Sequence, residues 1–87
     1  KGKESSAQRY IGYLTPREIE VLTFILIHEM NNEEIGVKLN IGERSAERIR
    51  SSILQKYEVK RTPGLILFCI RHGIMDFLRN RRGLNTQ

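Results

Sequence analysis

The 87-residue chain has no tryptophan, one cysteine, two prolines and no apolar run near the ~18–20 residues that a membrane helix requires. Each shortage excludes something. A single cysteine closes no internal disulfide. Cys69 lies inside the apolar run from Leu65 to Ile70, which predicts an inert, buried thiol and a reducing compartment, the bacterial cytoplasm. The polar N-terminus lacks the apolar stretch of a signal peptide, so nothing points to export or to a membrane. The chain opens on Lys1 rather than methionine, and a longer protein is expected around it. Glycine-rich phosphate loops and a nucleophile elbow are also missing. His28 and His72 lie 44 residues apart at the ends of different predicted helices, without the paired Cys and His motifs of a metal site. No enzyme, no metal and no cofactor is therefore expected.

What is present in excess is positive charge, and it is unevenly placed. Fifteen Lys and Arg against ten Asp and Glu leave +5, with a pI near 9.8. Residues 15–41 set Arg17 and Lys38 against Glu18, Glu20, Glu29, Glu33 and Glu34, a net of −3. Residues 42–61 set Arg44, Arg48, Arg50, Lys56, Lys60 and Arg61 against Glu43, Glu47 and Glu58, a net of +3. A surface that meets a polyanion needs such a concentrated segment, although a solvated basic face would show the same run.

The periodicity predicts an all-α domain of four helices, and no stretch alternates like a strand. Thr15-Pro16-Arg17-Glu18 is a helix start, with Thr15 as N-cap and Glu18 closing a capping box, and the first helix is expected over residues 16–29. Asn31 and Glu34 repeat the box for a short helix over 32–39. Asn40-Ile41-Gly42 forms a tight turn, and a third helix over 43–57 buries Ala46, Ile49, Ile53 and Tyr57 at spacings of three and four. Thr62-Pro63 is read as a further cap and proline, opening a helix over 63–72. Gly73 either ends or bends that helix, with an extension to about residue 81. Residues 1–13 are read as a linker from an upstream domain, with Tyr10, Ile11, Tyr13 and Leu14 placed to pack on the domain. Residues 14–82 are read as the domain, and 83–87 as a flexible tail.

Residues 32–51 fit a helix-turn-helix. Gly36 is the small residue where two helices meet, and Ile35, Leu39, Ile41, Ala46 and Ile49 face inward. The outer side of the third helix keeps Glu43, Arg44, Glu47, Arg48, Arg50 and Ser51, which include donors able to read base edges.

The segments LTPREIEVL (14–22), NEEIGVKLNI (32–41) and RSAERIRSSILQKYEV (44–59) resemble the C-terminal effector domain of LuxR/NarL/FixJ-type (GerE-like) bacterial transcription regulators, and the resemblance continues to about residue 75. It implies four helices, the third entering the major groove of double-stranded DNA and the fourth forming a homodimer. It places Glu47, Arg48 and Ser51 on bases. Asn32, Arg44, Ser45, Arg50, Lys56 and Arg61 are expected on the phosphate backbone, and Leu65, Phe68 and Cys69 at the dimer interface. RNA polymerase is a further partner that such a regulator implies.

Three features depart from the family pattern. Ile49 stands where a histidine is common. One residue more than usual separates Leu22 from Ile35, and the glycine that normally precedes the second helix is missing from His28-Glu29-Met30, so either the loop is unusual or the first helix runs longer. Glu47 puts an acid on the reading face, where it accepts from cytosine N4 or pairs with Arg44, Arg50 or Ser51 along its own helix. Two other functions stay open. The Glu33-Glu34-Ile35 run suits a sigma-factor region-4-like module that meets promoter DNA as part of polymerase. Glu47 and the lost histidine suit a protein-interaction module that has given up DNA.

Overall fold

The structure, a computed structural model, describes residues 6–85 and their side chains as far as residue 80. Among these residues the chain is all-helical, as expected, but with six helices rather than four: α1 (Ser6–Ile11), α2 (Pro16–Leu26), α3 (Asn32–Leu39), α4 (Glu43–Lys56), α5 (Thr62–Arg71) and α6 (Ile74–Asn85). The core is one cluster to which every helix contributes. Val21 and Leu22 of α2, Ile35 of α3, Ala46 and Ile53 of α4, Leu65 and Cys69 of α5, and Ile74 of α6 are fully enclosed. Burying one such aliphatic side chain contributes about 1.5–3 kcal/mol.

The two capping boxes form as the sequence indicates. Thr15 Oγ1 accepts from the Glu18 N–H while Glu18 Oε1 accepts from the Thr15 N–H. Asn31 and Glu34 reproduce the same pair of bonds at the start of α3. Asn40 closes α3 in the left-handed region at φ 58°, and the Ile41 N–H returns to the Gly36 carbonyl at 2.8 Å. Gly36 is required by close approach. A Cβ there would stand 3.0 Å from the Ile41 carbonyl oxygen and 3.2 Å from the Glu43 nitrogen, both backbone atoms.

Several boundaries differ from the sequence reading. Residues 6–11, read as linker, are helical, and Ala7 and Ile11 are buried with Leu14 just beyond. Of the residues placed to pack there, Tyr13 instead remains exposed. Helix α2 is not lengthened by the additional residue. It ends at Leu26, and Glu29 takes φ 54°, the left-handed backbone that a glycine would supply without strain. Thr62 does not cap α5. Arg61 is the N-cap and, having no side-chain acceptor, makes no capping bond, while the hydroxyl of Thr62, already inside the helix, accepts from Arg50. Gly73, at φ 73°, ends α5 rather than bending it. The helix after it, α6, runs through Asn85, so part of the expected flexible tail is helical, and residues 86–87 lie outside the described residues. The apolar residues of α6 do not form a surface stripe, since Ile74 and Leu78 are in the core. No helix among the described residues is long and apolar enough to cross a membrane.

Helix α5 corrects a further expectation. Leu65 and Cys69, assigned to a dimer interface, are wholly inside the chain's own core, and burial pushes the Cys69 thiol up to about 12. The apolar side chains that α5 turns outward are Leu67 and Ile70, 59% and 57% exposed.

Two substitutions test these backbone assignments by urea or thermal unfolding. Glu29→Gly relieves the left-handed strain at an exposed site and is expected to stabilise by about 1 kcal/mol. Gly36→Ala forces the turn away from α3 and is expected to destabilise by about 1–3 kcal/mol. Equal stability of both variants with the parent would contradict the geometry described.

Candidate nucleic-acid interface

Helix α4 presents two different stripes. The inner one, Ala46, Ile53 and Tyr57, is buried against the core, with Ile49 half-buried beside it. The outer one runs through Arg44, Glu47, Arg48, Ser51 and Gln55 at helical spacings of three and four, and every member is exposed. Glu47 makes no ion pair with Arg44 or Arg50 among the described residues, so the acid stands free on this stripe. Ser45, also exposed, lies at the edge of a shallow cleft of about 390 Å³ that α4 forms with the start of α2. Ile49 lines that cleft and is thus less interior than its spacing implied.

The same cleft brings Arg17 to α4 beside Arg48 and Ser45. Arg17 belongs to the acidic half of the sequence, and no local signal marked it. Only the packing of α2 against α4 puts its charge on this face. Its guanidinium lies 3.7 Å from Glu20 at a largely exposed site, a pairing that water screens heavily.

The other cations of the expected set are placed differently. Arg50 is half-buried. Its Nε donates to Asn32 Oδ1 at 3.0 Å and its Nη1 to Thr62 Oγ1 at 2.6 Å, so it bolts α4 to the starts of α3 and α5. Asn32 therefore has an internal partner as well. Lys56 Nζ donates to Glu18 Oε1 at 2.7 Å and to the Tyr13 carbonyl at 3.2 Å, which uses two of its three N–H groups. Arg61 is exposed at the start of α5. The basic tail residues Arg81 and Arg82 have side chains outside the described part.

Glu18 is the most enclosed charge of the described chain, at 7% exposure. Burial alone would raise its pKa. The hydrogen bonds from Lys56, from the Ser52 hydroxyl at 2.6 Å and from the Thr15 N–H outweigh that and hold the carboxyl below its usual value of 4.5. Helix α2 is thereby tied to α4 by one ionised carboxylate with three donors.

The histidines do not approach a metal arrangement. His72 stacks at a tilt against Tyr10 and Phe68, and His28 lies beside Phe24. No group of three or more His, Cys, Asp or Glu suited to a metal occurs among the described residues.

The family model described as bacterial regulatory proteins, luxR family (GerE), matches residues 13–69. That span takes in α2, α3, α4 and most of α5. Transcriptional regulatory protein MctR of Rhizobium johnstonii is 37% identical over 63 residues, which are 72% of this chain and 29% of MctR. Oxygen regulatory protein NreC of Staphylococcus carnosus is 31% identical over 64 residues, 74% of this chain and 29% of its own length. Transcriptional regulatory protein LnrK of Bacillus subtilis is 38% identical over 64 residues, with the same two shares. The chain thus spans under a third of the length of these relatives. No solved structure matches it.

The Glu18 cluster predicts how stability responds to acid. The folded pKa lies below the unfolded one, so the charged carboxylate's contribution is complete above about 4.5 and is lost as pH falls through the folded value. Glu18→Gln is expected to lower stability near neutrality by about 1–2 kcal/mol, a range kept modest because Lys56 is partly solvated. The gap to the parent should close as the pH drops below 4.5. A gap of constant size across an acid titration of the melting temperature would rule out the charge as its origin.

Proposed function

Since the chain belongs to the luxR family of bacterial regulatory proteins, we propose that it binds double-stranded DNA in a sequence-specific way, with α4 as the recognition helix in the major groove. The observation that carries this reading is the outer stripe of α4. It is entirely polar, entirely exposed and mounted on a helix whose other side is locked into the core. Arg48 offers the planar fork that pairs with guanine O6 and N7. Ser51 lies one turn along, and Glu47, with no internal partner, can accept from cytosine N4.

Phosphate contacts fall to exposed Arg44, Ser45 and Arg61, with Arg17 added from the start of α2. Asn32, Arg50 and Lys56 have internal hydrogen bonds and can contribute only through the donors left over. Their main part in this proposal is to fix α4, and the net charge of +5 supplies long-range attraction to the polyanion.

The proposed assembly is a homodimer through the outer face of α5, centred on Leu67 and Ile70. A two-fold axis there implies an inverted-repeat site. MctR and LnrK are named as transcriptional regulatory proteins, and NreC as an oxygen regulatory protein. A regulatory role in transcription, exercised on bacterial DNA in the cytoplasm, follows for this chain by the same proposal.

Duplex selection followed by binding titration tests the reading. Arg48→Ala is expected to relax preference at one position by about 1–3 kcal/mol, whereas Arg44→Ala should weaken all duplexes alike and flatten the salt slope by about 1. Unchanged binding of both variants would refute the placement of α4. For the assembly, Leu67→Glu combined with Ile70→Glu should weaken self-association about tenfold or more in sedimentation while sparing half-site binding. An unaltered dimer would remove α5 from the interface.

A further inference from the structure

The family match leaves out α1 and α6, yet these helices pack on each other and on the rest of the chain. Tyr10 is where α1 meets the family core. Its ring stands edge-on to Tyr57 at 5.6 Å between centroids and to Phe68 at 4.9 Å, and it tilts against His72 at 4.7 Å. Its carbonyl accepts the Tyr57 hydroxyl at 2.8 Å. Just past α1, the Tyr13 carbonyl accepts Lys56 Nζ at 3.2 Å.

Lys56 is the last residue of α4 and Tyr57 its C-cap. The C-terminal end of α4 is therefore fastened by side chains to the backbone of a segment that begins before the family core. Tyr57 is 3% exposed, so its hydroxyl depends on the acceptor α1 provides. The other end of α4 is held by the turn at Gly36, and its middle by Glu18 through Ser52.

We propose that α1 is a positioning element for DNA recognition, and that Tyr10, seated between Tyr57, Phe68 and His72, fixes the pitch of α4 against the bases. The inference rests on reading α4 as the recognition helix. Hydrogen bonds to base edges fail when donor and acceptor part by a few tenths of an ångström beyond about 3.2 Å. Long cationic side chains follow a phosphate through such a shift. Loosening one end of α4 should therefore cost sequence preference and spare general DNA affinity.

The test uses the whole chain, titrated with its selected duplex and with a scrambled duplex well below each variant's melting temperature. Tyr10→Ala is expected to reduce affinity for the selected duplex about tenfold or more, comparable with a mismatched base pair, while affinity for the scrambled duplex and its salt slope stay as in the parent. Tyr10→Phe keeps both the ring and the carbonyl and should keep the parent's ratio. Tyr57→Phe, which removes one oxygen, should fall between them. Should Tyr10→Ala prove unfolded by circular dichroism, Tyr57→Phe decides on the same ratio. A folded Tyr10→Ala with the parent's preference, or equal losses on both duplexes, would overturn the positioning role. A parent chain that prefers no duplex would overturn the reading of α4 and this role with it.

Discussion

A buried carboxylate is costly unless every lone pair facing the protein is used, and Glu18 shows how this domain meets that requirement. The residue closes the capping box of α2, so its backbone position is set by the first turn of its own helix. From there its two oxygens reach across to Ser52 and Lys56 on α4. Without α4 the carboxylate would lose two of its three donors, those on Ser52 and Lys56. The bond thus does more than add stability. It couples the correct start of α2 to the correct seating of α4, and hence to which side of α4 faces outward. Arg50 acts in the same way toward α3 and α5, through neutral oxygens on Asn32 and Thr62.

These internal tasks divide the basic residues of α4 into two kinds. Arg44 and Arg48 lie on the exposed stripe and are free to meet a ligand. Arg50 and Lys56 are oriented by oxygens of the protein itself. Net charge does not reveal that division, because a cation in a hydrogen-bonded brace and a cation in water count alike. Composition therefore overstates the number of cations free to meet a ligand, and Arg17, from an acidic stretch, joins the α4 face that the proposed function assigns to phosphates.

Elements that begin with local chemistry could be read in the sequence. Thr15 with Glu18, Asn31 with Glu34, and the Asn40-Ile41-Gly42 turn each carry their partners within a few residues, and each forms as expected. What escaped depended on distant partners. Helix α1 is too short to stand on periodicity, and it is held by Tyr10 against Tyr57, Phe68 and His72, far along the chain. Thr62 looked like a cap because nothing local showed that the helix would begin on it and leave its hydroxyl to accept from Arg50 of α4. Helix α5 is apolar almost all round, so its pattern held no information on which side is inner. Only packing decides that Leu65 and Cys69 go inward and Leu67 and Ile70 outward. Glu29 was hidden for another reason. The left-handed site was visible as a missing glycine, but a sequence cannot tell a strained loop from a longer helix.

The free carboxylate of Glu47 gives the exposed stripe its particular character. An acid between Arg44 and Arg48 lowers the attraction of that surface for any phosphate, and among the described residues no cation neutralises it. A surface evolved only to coat a polyanion gains nothing from this arrangement. One that must reject most sequences does gain, since an unpaired acid in the groove is tolerated where a base offers it a proton donor and is penalised elsewhere. Such selection by penalty works only if the helix cannot shift to relieve the mismatch. In the proposed reading of α4, the hydrogen bonds at Glu18, Arg50 and Tyr57 supply that rigidity, and the acid on the outer stripe and the internal bonds of the helix serve one selection.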